Sequence, residues 1–167
     1  MAALIRALQT FLRLGTGVAF SVLIAAVTIQ VIGRGFVGSS PVWTEELSRF
    51  ALLYLAAFGS GLALFTGDLV NVDLASESAP GAWPWRFRLL SAVLVLGFCA
   101  LLIAPAARFT RIGTMQTSPA MGLPMNWVHG SVLLLLAALA LAALLRVAGM
   151  LSGAADGRPE KSEGDIE

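Results

Sequence analysis

Charge switches off and on along this chain in long blocks. Residues 14–33 carry no charge between Arg13 and Arg34, and residues 50–67 carry none between Arg49 and Asp68. Residues 89–107 are uncharged between Arg88 and Arg108. Residues 112–145 are uncharged as well, with His129 their one side chain that titrates near neutral pH. A bilayer core needs about 20 apolar residues of helix, within a range of roughly 17–25. The first three blocks fit one span each. The fourth is longer, but Pro119, Gly122 and Pro124 break its first half, so its span starts near Trp127. The pattern therefore predicts spans at about 12–33, 48–67, 88–107 and 126–146. The predicted fold is an all-α membrane protein with four transmembrane helices and an interfacial helix start before the second. One membrane domain is expected over residues 1–152. The polar stretch 153–167 is expected to be a disordered cytoplasmic tail.

The turns between the blocks have local signals. Gly33 and Gly35-Phe36 end the first span, and Gly38-Ser39-Ser40-Pro41 makes a turn. Ser40 suits an N-cap, and Pro41 suits the first helical position, where its missing N–H is not needed. A helix is predicted over 41–66, with Glu45 and Glu46 in its early turns, where the helix dipole favours acids. The first block is retained on this reading, because no small-x-small cleavage site follows it.

Composition supports the membrane assignment. Of 167 residues, 57% are apolar and 13% charged, with mean hydropathy +0.83. Soluble domains run nearer 25% charged, so this chain has too little polar surface to cover a core of that size. Lys and Arg near span ends set orientation. The side shared by both termini collects Arg6, Arg13, Arg86, Arg88, Arg146, Arg158 and Lys161, and the other side Arg34, Arg49, Arg108 and Arg111. The bias predicts that both termini are cytoplasmic. No basic stripe with interleaved aromatics is present, so nucleic acid is not an expected partner. Cys99 lies inside the third span and has no second cysteine to pair with.

The densest chemistry is Trp43-Thr44-Glu45-Glu46-Leu47-Ser48-Arg49-Phe50, against the start of the second span. A charge at bilayer depth costs about 2.5–3.5 kcal/mol on insertion scales, so this cluster belongs at the water interface or on a partner. Glu45 and Arg49 are i,i+4, and Glu46 and Arg49 are i,i+3, so Arg49 can pair with either acid. One arginine cannot neutralise both carboxylates. Two readings follow for Trp43, Glu45, Glu46 and Arg49: a self-paired helix start, or a surface where an acid left over meets a partner or lipid headgroups.

Further along, Ala56, Ala57, Gly59, Ser60, Gly61 and Ala63 give the second span small-xxx-small spacing, which lets helix backbones approach closely. Packing within the chain and docking of another membrane subunit both fit this face. Trp83, Trp85, Arg86, Arg88 and Trp127 fit interface anchors. Asp68, Asn71 and Asp73 lack the spacing of a Ca²⁺ loop, and no metal or cofactor is expected. Catalysis is not expected either. A membrane haem needs two axial histidines and the chain has one. His129 and Ser131 are too close in sequence to face each other on a helix. The first span holds Thr16, Ser21, Thr28 and Gln30 but no acid, and no other span has one near its middle. A lone ion-coupled carrier needs such a group.

Taken together and in order, these residues resemble the small membrane subunit of TRAP (tripartite ATP-independent periplasmic) transporters, the DctQ type. The resemblance covers roughly residues 11–150. It rests on Trp43, Glu45, Glu46 and Arg49 opening the second span, on Gly67 with Val70, Val72 and Asp73, and on 118–125, Ser-Pro-Ala-Met-Gly-Leu-Pro-Met. Leu69 stands where that family often has histidine, and the proline often seen early in its last span is missing near Val132. The resemblance implies a four-span scaffold that packs beside a large membrane subunit of about twelve spans. It also implies help in docking an extracytoplasmic solute-binding protein, for sodium-driven uptake of an organic acid, with membrane lipids as further neighbours. Readings of a different class are a membrane anchor of a respiratory complex and an autonomous channel or exporter.

Overall fold

The computed structural model describes residues 2–66 and 83–152. Four helices form its body: α1 (Ala2–Ile32), α2 (Val42–Thr66), α3 (Trp83–Ile112) and α4 (Asn126–Leu151). All four are long and apolar enough to cross a membrane. Among the described residues there is no strand, and the one β-bridge, Thr117 with Pro124, closes a loop. The acids and Asn71 of the 68–77 stretch, the Gly67–Val72 match and the polar tail lie outside the described residues.

Helices this apolar form because the bilayer offers their backbones no other hydrogen-bond partner. The ends follow the turn chemistry. The last turn of α1 widens into a π-helix over Gly33–Val37, and Gly38 ends it at φ 75°. That left-handed conformation strains any residue with a Cβ, which is why a glycine ends this helix. The chain then reverses so tightly that a Cβ on Gly33 would stand 2.9 Å from the carbonyl oxygen of Ser39. α2 begins one residue later than expected. Pro41 caps it by accepting from the Thr44 amide at 3.1 Å and the Thr44 hydroxyl at 2.6 Å. Ser40, expected to be the cap, instead accepts from Arg34 Nε at 3.3 Å.

The helices pack in the order α1, α2, α4, α3. α1 and α3 stand at the two ends of this series and share no extended interface. The series does not close on itself through an α1–α3 interface. One close approach involves three helices: a Cβ on Gly61 of α2 would lie 2.8 Å from Ala138 Cβ of α4 and 3.4 Å from Leu12 of α1. Leu12 and Ala57 are each 1% exposed there. On the far side of α4, Cys99 and Ala106 of α3 meet Leu136. Cys99 is fully buried, as a small apolar packing residue should be.

Candidate functional site

The tight reversal after α1 brings Arg34 back over the start of α2. Its guanidinium reaches Glu45 Oε1 at 2.5 Å. Both side chains are largely exposed, at 63% and 42%. An exposed pair of this kind contributes about 0–1 kcal/mol. Arg34→Gln is therefore expected to change the melting temperature of the purified chain little. A drop as large as that of a buried core variant would show that the pair does more than solvate two charges.

Glu46, one residue on, points elsewhere. The loop between α3 and α4 folds back on itself through the Ser118 amide to Leu123 oxygen bond at 2.8 Å and the Met125 amide to Gln116 oxygen bond at 2.9 Å. Its tip wraps the Glu46 carboxylate. Glu46 Oε2 accepts from the Ser118 hydroxyl, from the Ala120 amide at 3.2 Å and from the Met121 amide at 3.0 Å. Ser118 is only 3% exposed, and its oxygen accepts in turn from the Met121 amide at 3.2 Å. A carboxylate is an acceptor with no donor of its own, so three convergent donors match what it can do. Glu46 thereby ties α2 to a loop 72–75 residues away.

This corrects the expected pairing of Arg49. Arg34 has taken Glu45, and loop donors have taken Glu46. Arg49 is exposed and makes no ion pair with either. Within the 43–50 cluster the group without an ion pair is a cation, not an acid, and its charge still favours the Glu46 carboxylate from a distance. Trp43 beside it is 40% exposed. A second tie joins the same elements: the Tyr54 hydroxyl of α2 donates to the Trp127 carbonyl of α4 at 2.6 Å. Nothing in the sequence marked Ser118 as Glu46's partner.

The small-residue face of α2 splits in two. Ala57 and Gly61 are buried inside the chain. Ala56 is exposed, and Gly59, Ser60 and Ala63 are half-buried. A Cβ on Gly59 would meet nothing within 4 Å. Arg49 is exposed in line with Leu52, Leu53 and Ala56 along the same helix, which is an unpartnered outward strip. A separate apolar groove of about 630 Å³ lies between α1, α2 and the start of α4, lined by Phe11, Val18, Phe50, Phe58, Met121 and Trp127 among others.

Of the expected anchors, Trp83, Trp85, Arg86 and Trp127 are exposed. Arg86 lies 5.6 Å over the Trp83 ring. Arg88 instead turns inward and is 7% exposed. His129 stacks on Phe109 at 3.9 Å and sits 3.2 Å from the Phe109 carbonyl, so it packs the top of the α3–α4 pair. Among the described residues no group of His, Cys, Asp and Glu is placed to hold a metal. The described acids are Glu45 and Glu46, both at helix-start depth and none near mid-span.

A family model described as Tripartite ATP-independent periplasmic transporters, DctQ component, matches residues 23–153. No curated protein matches the chain.

Proposed function

The chain belongs to the DctQ component family of tripartite ATP-independent periplasmic transporters, and from that membership we propose that it is a scaffold rather than a carrier. As a small permease subunit it works with a large membrane subunit and a solute-binding protein. Our reading is that it packs beside the large subunit, widens its base in the membrane and helps seat the binding protein. Uptake would be of an organic acid, driven by a sodium gradient across the bacterial inner membrane, with both termini of this chain cytoplasmic.

The observation that carries the scaffold reading is the disposition of charge. The two described acids are engaged by Arg34 and by the 118–121 loop, and none stands in a span where a coupling ion would need one. What the chain offers instead is apolar helix faces and, beside Trp43 at the start of α2, an exposed arginine, Arg49. Reconstitution tests this directly. Solute should enter liposomes only when all three components and a sodium gradient are present. Uptake by this chain alone would overturn the reading.

Arg49→Ala is the matching variant. Arg49 makes no internal ion pair and acts on Glu46 only through its charge, the smallest of the effects that favour that carboxylate, so melting temperature should change little. Co-purification with the large subunit, or uptake, should fall. Unchanged yield of complex together with unchanged uptake would remove Arg49 from any partner surface.

A further inference from the structure

Two arginines near the end of α3, Arg108 and Arg111, line one open hollow of about 410 Å³ together with Ile112, Thr114 and Met115. They stand at i,i+3, so they are neighbours on the helix surface. Both are exposed, and neither makes an ion pair among the described residues. No acid lines the hollow. The loop over 113–125 contains none, and Glu45 and Glu46 of α2 are engaged elsewhere. A helix end opposes an anion with a dipole worth about half a negative charge. Here the Arg111 carbonyl already accepts from the Thr114 hydroxyl at 2.8 Å, and two full positive charges outweigh the rest. The hollow is cationic and calls for an anion.

Its depth in the membrane says which anion. Trp83 and Trp85, exposed at the start of α3, mark one headgroup layer. From Trp85 the helix climbs about 35 Å to Arg108 and about 39 Å to Arg111, at 1.5 Å per residue. The hydrocarbon is about 30 Å thick, and the bilayer with its headgroups about 40–45 Å. Both arginines therefore stand in the opposite headgroup layer. The residues beneath them agree. Arg108 follows Leu90 by about five turns and Leu101 by about two, so the three share one face of α3. Leu90, Leu94 and Leu101 are exposed on it, Leu101 at 72%. α3 packs chiefly on α4, which leaves that face to the membrane. A phospholipid with its tails along these leucines brings its phosphate to the arginines, whose planar forks fit phosphate oxygens two at a time. Met115, 90% exposed in the same hollow, suits the glycerol region. An acidic protein loop would match the charge but not the apolar strip below it.

We infer that Arg108 and Arg111 form a binding site for the phosphate of an anionic phospholipid, whose tails lie along Leu94 and Leu101 of the same helix.

The test uses the full chain, delipidated in detergent and titrated by native mass spectrometry. The probes are phosphatidylglycerol and phosphatidylcholine with identical acyl chains. The wild type should prefer phosphatidylglycerol. Arg108→Gln and Arg111→Gln should each weaken that preference about five-fold, the expected worth of one arginine near a headgroup, and lysine at either position should keep most of it. Arg86→Gln removes the same charge from the other end of α3 and should leave the preference largely intact. Inorganic phosphate, which has no tails, should not displace the lipid. Equal affinity of the wild type for both lipids, an undiminished preference in either glutamine variant, an equal loss in Arg86→Gln, or displacement by free phosphate would each overturn the site. So would a double glutamine variant that keeps the lipid preference but no longer co-purifies with the solute-binding protein, because the hollow would then belong to an acidic protein surface.

Discussion

Leucine in place of Gly61 is expected to prevent the chain from accumulating as a monodisperse membrane protein. Gly61 is where α1, α2 and α4 meet. Even a methyl group there would stand 2.8 Å from Ala138 Cβ, an atom fixed to its own backbone, and 3.4 Å from Leu12. Neither helix can yield alone. Overpacking a tight core costs about 1–3 kcal/mol, and leucine adds three carbons beyond the methyl. In lipid the loss is felt fully, because close packing rather than escape from water holds helices together. Gly59→Leu is the control, since its side chain would enter open space. Size-exclusion profiles and melting temperatures of the two variants decide the matter. A Gly61→Leu chain as monodisperse and heat-stable as Gly59→Leu would mean that α2 and α4 do not rely on this approach.

Glu46→Ala should have the next largest effect, and a different signature. The helices should still insert, because no span is altered. The loop tip should come loose, because the Ser118 hydroxyl and the Ala120 and Met121 amides lose one shared acceptor at once. Amide exchange at residues 118–121 should speed up, and the melting temperature should fall further than in Arg34→Gln. Glu46→Gln keeps one acceptor oxygen and should fall between them. Because the loop belongs to the end of the molecule that also carries Arg49 and Trp43, uptake by the reconstituted transporter should drop as well. Wild-type exchange at 118–121 in Glu46→Ala would show that the loop holds its shape without the carboxylate.

The four helices were legible because a bilayer punishes charge so heavily that the uncharged blocks trace the spans. α2 was legible almost to the residue, since turn chemistry fixes its start and the end of its charge-free block fixes its finish. Their packing order was not. Each helix is apolar on every side, so no polar stripe says which face meets which neighbour, and small-residue spacing on α2 suited an inner and an outer contact equally. The cluster at residues 43–50 was found, but its pairing was misassigned. The i,i+3 and i,i+4 rule sees partners on one helix alone. Glu45 finds its cation 11 residues back across a turn, and Glu46 its donors more than 70 residues ahead. The 118–125 stretch stood out by its prolines and glycine, yet a serine in such a loop gives no sign of the carboxylate it will face. Arg88 looked like one more anchor because sequence cannot tell an arginine that leaves the helix pair from one that turns into it.

The distance along the chain between Glu46 and its donors also sets an order of events at the ribosome. The α1–α2 hairpin is made and enters the membrane while Ser118, Ala120 and Met121 are still unmade. At roughly 5–20 residues per second, the 72 residues that separate Glu46 from Ser118 take about 4–14 s to synthesise. Through that interval the carboxylate has no protein donor, and water and headgroups must serve. An acid placed at mid-span would have had neither. Its position at the very start of α2 lets a newborn half-protein wait in the membrane for the loop that completes it.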